Sequence, residues 1–117
     1  MTTKNSRSTK TFNEKIWELT EKIPKGKITT YKILAHELDT NAYRAVGQAL
    51  RCNPYAPRIP CHRVVSSDGS IGGFMGKIES ESKEIRKKTK MLTKEGIRIK
   101  QGKIIDFENV LFRYREL

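Results

Sequence analysis

The chain has 117 residues, with 24 lysines and arginines against 13 aspartates and glutamates, for a formal net charge of +11. This length fits one compact domain, and the positive surplus favours a polyanion such as nucleic acid as partner, although a solvated surface on a protein from a hot or salty habitat has the same composition. Two cysteines exclude a disulfide framework, and no apolar stretch reaches the roughly 18 residues of a membrane-spanning helix, so we expect an intracellular protein with no membrane partner.

The start of the chain divides into a polar segment and a periodic one. Residues 1–10 are polar and basic without hydrophobic periodicity, which predicts a disordered basic tail. The folded domain is then expected over residues 11–117. From Thr11 to Ile23 the apolar residues keep helical spacing, which predicts the first helix, and the Pro-Lys-Gly run that follows ends it.

Two shorter amphipathic helices are predicted next. Thr29 or Thr30 can cap a helix whose apolar side chains form one stripe up to Leu38. After a polar turn, a third helix is predicted from about Ala42 to Arg51, where an Asn-Pro pair ends it. Two helices across a tight turn suggest a helix-turn-helix that reads DNA. Helices of this kind also simply build a core, and the pattern alone leaves both interpretations open.

The second half of the chain is less periodic. Residues 54–77 are rich in proline and glycine, which predicts an ordered loop around the apolar stretch Arg63 to Val65. Another amphipathic helix is predicted to run to Gly96 as a C-cap. Alternation from Ile97 to Arg113 around Gln101-Gly102 predicts a β hairpin. The predicted fold is therefore mainly α with a small β hairpin, a winged-helix-like helix-turn-helix domain.

A thiol, an imidazole and a guanidinium are adjacent at Cys61, His62 and Arg63. Electropositive surroundings stabilise a thiolate over a thiol, and the thiolate is the nucleophile, so we expect a lowered pKa for Cys61. For a lone Cys-His pair, the commoner interpretation is a buried and inert cysteine beside a structural histidine. The triplet by itself does not decide between the two.

Further short motifs surround this triplet along the chain. They are Ile23-Pro24-Lys25-Gly26-Lys27, Thr30-Tyr31, Arg44-Ala45-Val46-Gly47, Asn53-Pro54, Pro60-Cys61-His62-Arg63-Val64, Gly72-Gly73-Phe74 and Glu95-Gly96. In order and approximate spacing, the set resembles the active-site domain of the alkylguanine-DNA alkyltransferase family, also called methylated-DNA cysteine methyltransferases. The resemblance covers residues 11 to 113. The Pro-Cys-His-Arg-Val run is its most specific element.

The resemblance implies a catalytic set and a reaction that uses no cofactor. Cys61 would accept an alkyl group from guanine O6 in double-stranded DNA, irreversibly and in a single turnover. His62 would act as base through a bound water, and Glu95 would polarise His62. Tyr31 would protonate the purine as the alkyl group leaves, and Asn53 would tie the helices to the active-site loop. This is a nucleophile, base and orienter arrangement that attacks a saturated carbon instead of a carbonyl.

The target oxygen lies inside the base stack, so the base must leave the duplex before a thiol reaches it. By resemblance, Arg44 fills the space left by the flipped base; a phosphate contact on a solvated face is the plainer interpretation. The second helix of the helix-turn-helix would enter the minor groove, where readout is degenerate, and small residues there would allow close approach. The predicted DNA-binding residues are Thr30, Arg44, Ala45, Gly47 and Arg51.

A pocket for the flipped guanine is implied at the carbonyl of Val64 and the loop from Gly72 to Gly76, where Phe74 would stack on the base. The family often has tyrosine at Phe74, a small residue at Met75 and glycine at Lys77, which bears on the tolerance of bulky adducts. Met75 suits a gap-filling core role equally well. The predicted pocket residues are Val64, Phe74, Met75 and Gly76.

Three alternatives accompany this prediction. Typical family members carry an additional amino-terminal domain, whereas ten residues precede the first predicted helix here. Short relatives with tryptophan at the cysteine position bind alkylated DNA without repairing it, which makes damage sensing the first alternative, although Cys61 keeps the nucleophile. A sequence-specific regulator, dimeric on spaced half-sites, is the second, whereas the resemblance favours a monomer. A metal site is the third, and none is assigned because Cys52, Cys61 and His62 lack a fourth ligand at zinc spacing.

Overall fold

The computed structural model describes residues 10–71 and 83–114. Of the predicted basic tail, residues 1–10, only Lys10 falls within this part. The described residues form mainly helices, as predicted, with two small sheets, of which one is the predicted hairpin. None of the described helices is long and apolar enough to cross a membrane.

The first helix, α1, spans Phe12–Glu21 and begins with a capping box. The Thr11 hydroxyl accepts a hydrogen bond from the Glu14 amide, and the Glu14 carboxylate accepts one from the Thr11 amide, so two amides at the helix start are satisfied. The helix ends at Glu21 rather than at the predicted Ile23. Ile23 is instead a buried core residue in the turn that follows.

The predicted helix-turn-helix is present. A short strand, β1 (Thr29–Thr30), leads directly into α2 (Tyr31–Glu37), and a turn connects α2 to α3 (Tyr43–Arg51). Of the two predicted capping residues, Thr30 is the N-cap of α2, where its hydroxyl accepts from the Ile33 amide at 3.0 Å. The buried faces of the two helices pack together through Leu34, Ala35, Val46, Ala49 and Leu50.

The loop after α3 tightens into a 3-10 turn, Cys61–Arg63, and then into a second strand, β2 (Val64–Val65). This strand pairs in parallel with β1, with Thr29 opposite Val64. The sequence did not predict this pair, because two residues are too short to show the alternation that marks a strand. Its consequence is structural: the pair fixes the cysteine turn against the strand that leads into α2.

The last elements are α4 (Lys83–Lys94), the strands β3 (Ile99–Lys100) and β4 (Lys103–Ile104), and α5 (Phe107–Val110). Strands β3 and β4 form the predicted hairpin, and Gln101 and Gly102 both have positive φ in its turn, as a type I′ turn requires. The hairpin is shorter than predicted. After Ile104 the chain turns into α5 instead of continuing as a strand to Arg113.

Two hydrophobic clusters hold these elements together. The helical cluster joins α1, α2 and α3 and also contacts Cys61; its buried members are Ile16, Ile23, Leu34, Ala35, Val46, Ala49, Leu50 and Val64. The hairpin cluster joins β2, α4 and the hairpin through Ile28, Val65, Leu92, Ile97 and Ile104. Strand β2 supplies one residue to each cluster, so the cysteine turn lies where the two clusters meet.

Candidate active site

The 3-10 turn presents the thiol and the imidazole differently. Its backbone is closed by hydrogen bonds from the Cys61 amide to Ile59 O and from the Arg63 amide to Pro60 O, both at 2.9 Å. In this conformation Cys61 is half-buried, whereas His62 is only 3% exposed. The thiol is therefore partly open to solvent, whereas the imidazole next to it in the chain is buried in the protein.

Three ionisable side chains meet behind the turn. The Glu95 carboxylate accepts from His62 Nε2 at 3.0 Å and from Arg63 Nε and Nη2 at 2.8 Å each. Arg63 Nη1 donates to Ile23 O at 2.7 Å, which anchors the guanidinium to the end of α1. An ionised carboxylate only accepts hydrogen bonds, so His62 Nε2 carries the ring proton and Nδ1 is the basic nitrogen.

The electrostatics of this group keep Glu95 ionised and His62 neutral. Burial alone would raise the pKa of Glu95, but the hydrogen bonds from Arg63 and His62 outweigh it and lower the pKa below its ordinary value. Burial lowers the pKa of His62, and the bond to Glu95 offsets only part of that effect. A neutral imidazole oriented by a carboxylate is suited to accept a proton.

The expected low pKa of Cys61 is wrong. Burial raises the pKa of this thiol above its ordinary value of 9.0, although a hydrogen bond from Asn53 and the charge of Lys88 act in the opposite direction. The neighbouring Arg63 does not supply the expected positive charge, because its guanidinium is held by Glu95 and the Ile23 carbonyl. The free site therefore holds a thiol, and a base is needed to ionise it.

Two further predicted residues lie close to the thiol. Burial and, to a smaller extent, the charge of Cys61 together raise the pKa of Tyr31 to about 12, so the phenol stays protonated and can donate. Asn53 follows α3; its side-chain nitrogen donates to Ile59 O and its oxygen accepts from the Tyr55 amide, both at 2.9 Å. Asn53 thus links the end of α3 to the loop before the cysteine turn.

Sequence analysis assigned no role to Lys88, which lies on α4. This side chain is 0% exposed, and its Nζ donates to Val64 O and to Ile71 O at 2.7 Å each. Burial lowers its pKa from 10.5 to about 7. The signal in the sequence was positional: Lys88 falls between Ile85 and Leu92 on the buried face of α4.

The predicted DNA-binding residues do not all lie on one surface. Arg44 and Arg51 are exposed at the start and end of α3, and Ala45 is half-buried between them. Gly47 is half-buried, and a β-carbon added there would meet no described atom within 4 Å. Thr30 is the exception: it is buried and caps α2, so we reassign it from DNA contact to capping.

The predicted guanine pocket is described only in part. The Val64 carbonyl is engaged by Lys88, but a carbonyl oxygen has two acceptor sites and keeps one for a ligand. Phe74, Met75 and Gly76 lie outside the described residues. Within residues 10–71 and 83–114, no group of three or more histidine, cysteine or acidic side chains is arranged to hold a metal ion.

Fold and site together define a class: a helix-turn-helix domain with a half-buried cysteine on an adjoining turn, backed by a histidine and carboxylate pair. The chain belongs to the family of the 6-O-methylguanine DNA methyltransferase DNA-binding domain, whose family model matches residues 11–97.

Individual relatives agree with this assignment. A methylated-DNA–protein-cysteine methyltransferase of Pyrobaculum aerophilum is 38% identical over 84 residues, 72% of this chain and 56% of the relative. The O6-methylguanine-DNA methyltransferase of Pyrococcus kodakaraensis strain KOD1 has a TM-score of 0.62 at 39% identity, over 76% of this chain and 48% of that one. S. pombe Atl1, in complex with damaged DNA containing O6-carboxymethylguanine, has a TM-score of 0.70 at 25% identity, over 87% of this chain and 94% of that one. The chain thus spans about half the length of the two methyltransferases.

Proposed function

We propose that this chain removes the alkyl group from O6-alkylguanine in double-stranded DNA and keeps it on Cys61 Sγ, in a single turnover. The observation that carries the proposal is the contact of His62 Nε2 with the Glu95 carboxylate at 3.0 Å, which leaves Nδ1 of a neutral imidazole as the base beside a half-buried thiol. Membership in a DNA methyltransferase family supports the substrate.

The transfer is a displacement at saturated carbon. His62 takes the thiol proton through a bound water, and the thiolate sulfur then forms a bond to the alkyl carbon while the bond from that carbon to O6 breaks. The electron pair of the broken bond goes to the purine, which takes a proton from the Tyr31 hydroxyl. The proton held by His62 balances the one that Tyr31 gives up. The product is a neutral thioether, which explains why one chain acts once.

Charge moves from sulfur to purine during this step, and Tyr31 is placed to respond. The Cys61 charge is one of the two causes that raise the pKa of Tyr31, and that cause disappears when the sulfur is alkylated. The phenol therefore becomes a better proton donor as the purine becomes negative. This timing is the kind of selective stabilisation of the transition state on which catalysis depends.

Asn53 and Lys88 position the reacting groups in this proposal. The Asn53 side chain holds the backbone before the cysteine turn at Ile59 O. Lys88 bridges the carbonyl of Val64, just after the turn, to that of Ile71, where the predicted pocket loop begins. A shift of either carbonyl would move the thiol relative to the guanine, and transfers of this type are sensitive to such misplacement.

The helix-turn-helix supplies the duplex contact. We propose that α3 enters the minor groove, where Gly47 leaves room for the DNA backbone. Exposed Arg44, in the first turn of α3, then occupies the space of the flipped base. Arg51 contacts a phosphate at the other end of the helix.

Damage sensing without repair is the second candidate function. It is favoured by the similarity to S. pombe Atl1 bound to damaged DNA, which extends over 94% of that short chain. The presence of Cys61 with its histidine and carboxylate pair favours transfer over sensing alone, because covalent transfer requires a nucleophile.

The deciding experiment is mass spectrometry of the chain after incubation with a duplex that contains O6-methylguanine. Transfer predicts that the protein gains one methyl group, found on the peptide that contains Cys61, and that the amount never exceeds one per chain. Binding of the same duplex with no gain in mass supports sensing instead.

The two cysteines provide matched variants for this measurement. Cys61→Ser should bind the duplex and gain no methyl group, since a hydroxyl is far less readily ionised. Cys52→Ser should transfer almost normally, because Cys52 is exposed at the end of α3 and has no assigned role. Loss of transfer in a folded Cys52→Ser would show that the wrong thiol was chosen.

A further inference from the structure

Helix α4 carries four lysines in one line on its outer face. Lys83, Lys87, Lys90 and Lys94 are all exposed, and at 100° per residue their side chains fall within about 60° of one another. The buried residues of α4, including Ile85, lie on the opposite side of the helix. We call these four residues the lysine stripe.

The lysine stripe has no acidic counterpart in the described part of the chain. Some other exposed cations do have acidic partners: Arg58 pairs with Glu21, Arg98 with Asp106, and Lys10 with Glu18. No described hydrogen bond or salt bridge involves any of the four stripe lysines.

Like charges at this spacing destabilise a helix. Lys83 and Lys87 are four residues apart, as are Lys90 and Lys94, and side chains four apart on a helix are neighbours that repel when they carry the same charge. A face that is merely solvated usually mixes both signs. The arrangement is favourable when an external polyanion neutralises it.

The helix that carries the stripe packs on a different hydrophobic cluster from the helix-turn-helix. Helix α3 packs on the helical cluster through Val46 and Leu50, whereas α4 packs on the hairpin cluster through Leu92. A ligand on the exposed side of α3 therefore contacts a helix of the helical cluster, whereas a ligand on the stripe contacts a helix of the hairpin cluster.

We propose that the lysine stripe binds the phosphate backbone of DNA at a distance from the flipped base, as a second contact without sequence preference. From Lys83 to Lys94 the helix rises about 16 Å, the length over which one strand of a duplex presents about five phosphates. Four lysines with no acidic partner among the described residues match, along such a length, a row of phosphates in sign and extent. The choice of DNA as the polyanion rests on the proposed function.

The test is the salt dependence of binding to an undamaged duplex by the full chain. The double variant Lys87→Gln, Lys90→Gln removes two charges from the middle of the stripe. Lys15→Gln, Lys22→Gln removes the same charge from exposed positions on and just after α1. Each phosphate contact contributes about −0.9 to the slope of log affinity against log salt, so the stripe variant should flatten the slope by about two units and the control by less than half a unit.

Duplex length identifies which backbone the stripe binds. If the stripe variant flattens the salt slope only on long duplexes, the stripe binds the same duplex as the helix-turn-helix. If it flattens the slope on short duplexes as well, and sedimentation shows two duplexes bound per chain, the stripe binds a second duplex. Equal flattening in both double variants overturns the proposal, because binding then reports net charge alone. An unchanged DNA slope with lost binding to vesicles of phosphatidylserine and phosphatidylcholine also overturns it.

Methyl transfer from free O6-methylguanine base separates this proposal from the proposed function. Both double variants should transfer at the rate of the unmodified chain, since neither touches the site. If the unmodified chain transfers no methyl group while the stripe variant still flattens the salt slope, the proposed function is wrong and the proposal that the lysine stripe binds DNA is supported.

Discussion

The helix-turn-helix and the cysteine turn share one hydrophobic cluster but place their charges in opposite environments. Arg44 and Arg51 on α3 are exposed, and exposed cations act through attraction that salt screens. Around the turn, His62 and Lys88 are buried and Glu95 is 13% exposed, each with identified partners. Removing one member of a buried group leaves the others uncompensated. Substitutions of the exposed arginines on α3 should therefore change duplex binding alone, whereas those at the turn should change stability and chemistry together.

The largest expected effect comes from Lys88→Met, which keeps the length of the side chain and removes its charge. Each buried carbonyl left without a donor costs about 1–3 kcal/mol, so losing the bonds to Val64 O and Ile71 O should lower the free energy of unfolding by about 2–4 kcal/mol near neutral pH. Urea unfolding measures this directly. Lys87→Met, on the exposed face of the same helix, is the matched control and should change stability by less than about 0.5 kcal/mol.

The pH dependence of stability sharpens the same prediction. The folded pKa of Lys88 is about 7, below its ordinary 10.5, so above pH 7 the unfolded chain holds a proton that the folded chain has released. Stability from this group therefore rises with pH above about 7 and is lost as pH falls through the folded pKa. Lys88→Met should remove that rise between about pH 7 and 8.5. A rise that persists in the variant would contradict a buried, titrating Lys88.

The next effect is on rate, in Glu95→Gln. The amide cannot hold Arg63 and His62 as the carboxylate does, so we expect transfer from free O6-methylguanine to slow by about tenfold or more. Transfer needs neutral His62, whose pKa lies below its ordinary 6.5, so the rate should fall only on the acid side of that value. Because Glu95 raises the pKa of His62, the variant should move this fall to lower pH. Glu84→Gln on α4 is the control. If the rate of Glu95→Gln falls at the same pH as that of the unmodified chain, Glu95 does not act on His62.

The smallest effect, in Gly47→Ala, separates stability from binding on α3. A methyl group at Gly47 meets no described atom within 4 Å, and alanine is about 0.5–1 kcal/mol more favourable than glycine inside a helix, so the variant should unfold at higher temperature. The same methyl group should weaken duplex binding several-fold if α3 lies close to DNA there. Higher stability with unchanged affinity would show that this face of α3 is not in contact.

The two regions also differ in how far the sequence predicted them. Helices α2 and α3 were predicted within one residue at their shared turn, because apolar spacing and the Thr30 cap are local signals. Strands β3 and β4 were predicted from the turn signal Gln101-Gly102, which is also local in the sequence. The extension of that hairpin toward Arg113 was wrong, because alternation does not distinguish a strand from the short helix α5.

The charge states at the cysteine turn depended on contacts that no local pattern contains. The motif placed Cys61, His62 and Glu95 in one site, and the structure brings His62 and Glu95 together across 33 positions of the chain. The motif did not reveal that the Arg63 guanidinium is bound by Glu95, or that Lys88 of α4 is buried next to the cysteine turn. Both arise from tertiary packing. Burial of Cys61 is the largest effect on the thiol and raises its pKa, whereas the charge of Lys88 lowers it.

The division of labour between the two regions is tested most directly by measuring methyl transfer from a duplex and from the free base in the same variants. Arg44→Ala should slow transfer from duplex DNA far more than transfer from free O6-methylguanine, because only the duplex requires a nucleotide to be held outside the stack. Glu95→Gln should slow both substrates by the same factor. The account predicts a duplex-to-base rate ratio that falls by about tenfold or more in Arg44→Ala and stays constant in Glu95→Gln. An unchanged ratio in Arg44→Ala would contradict it.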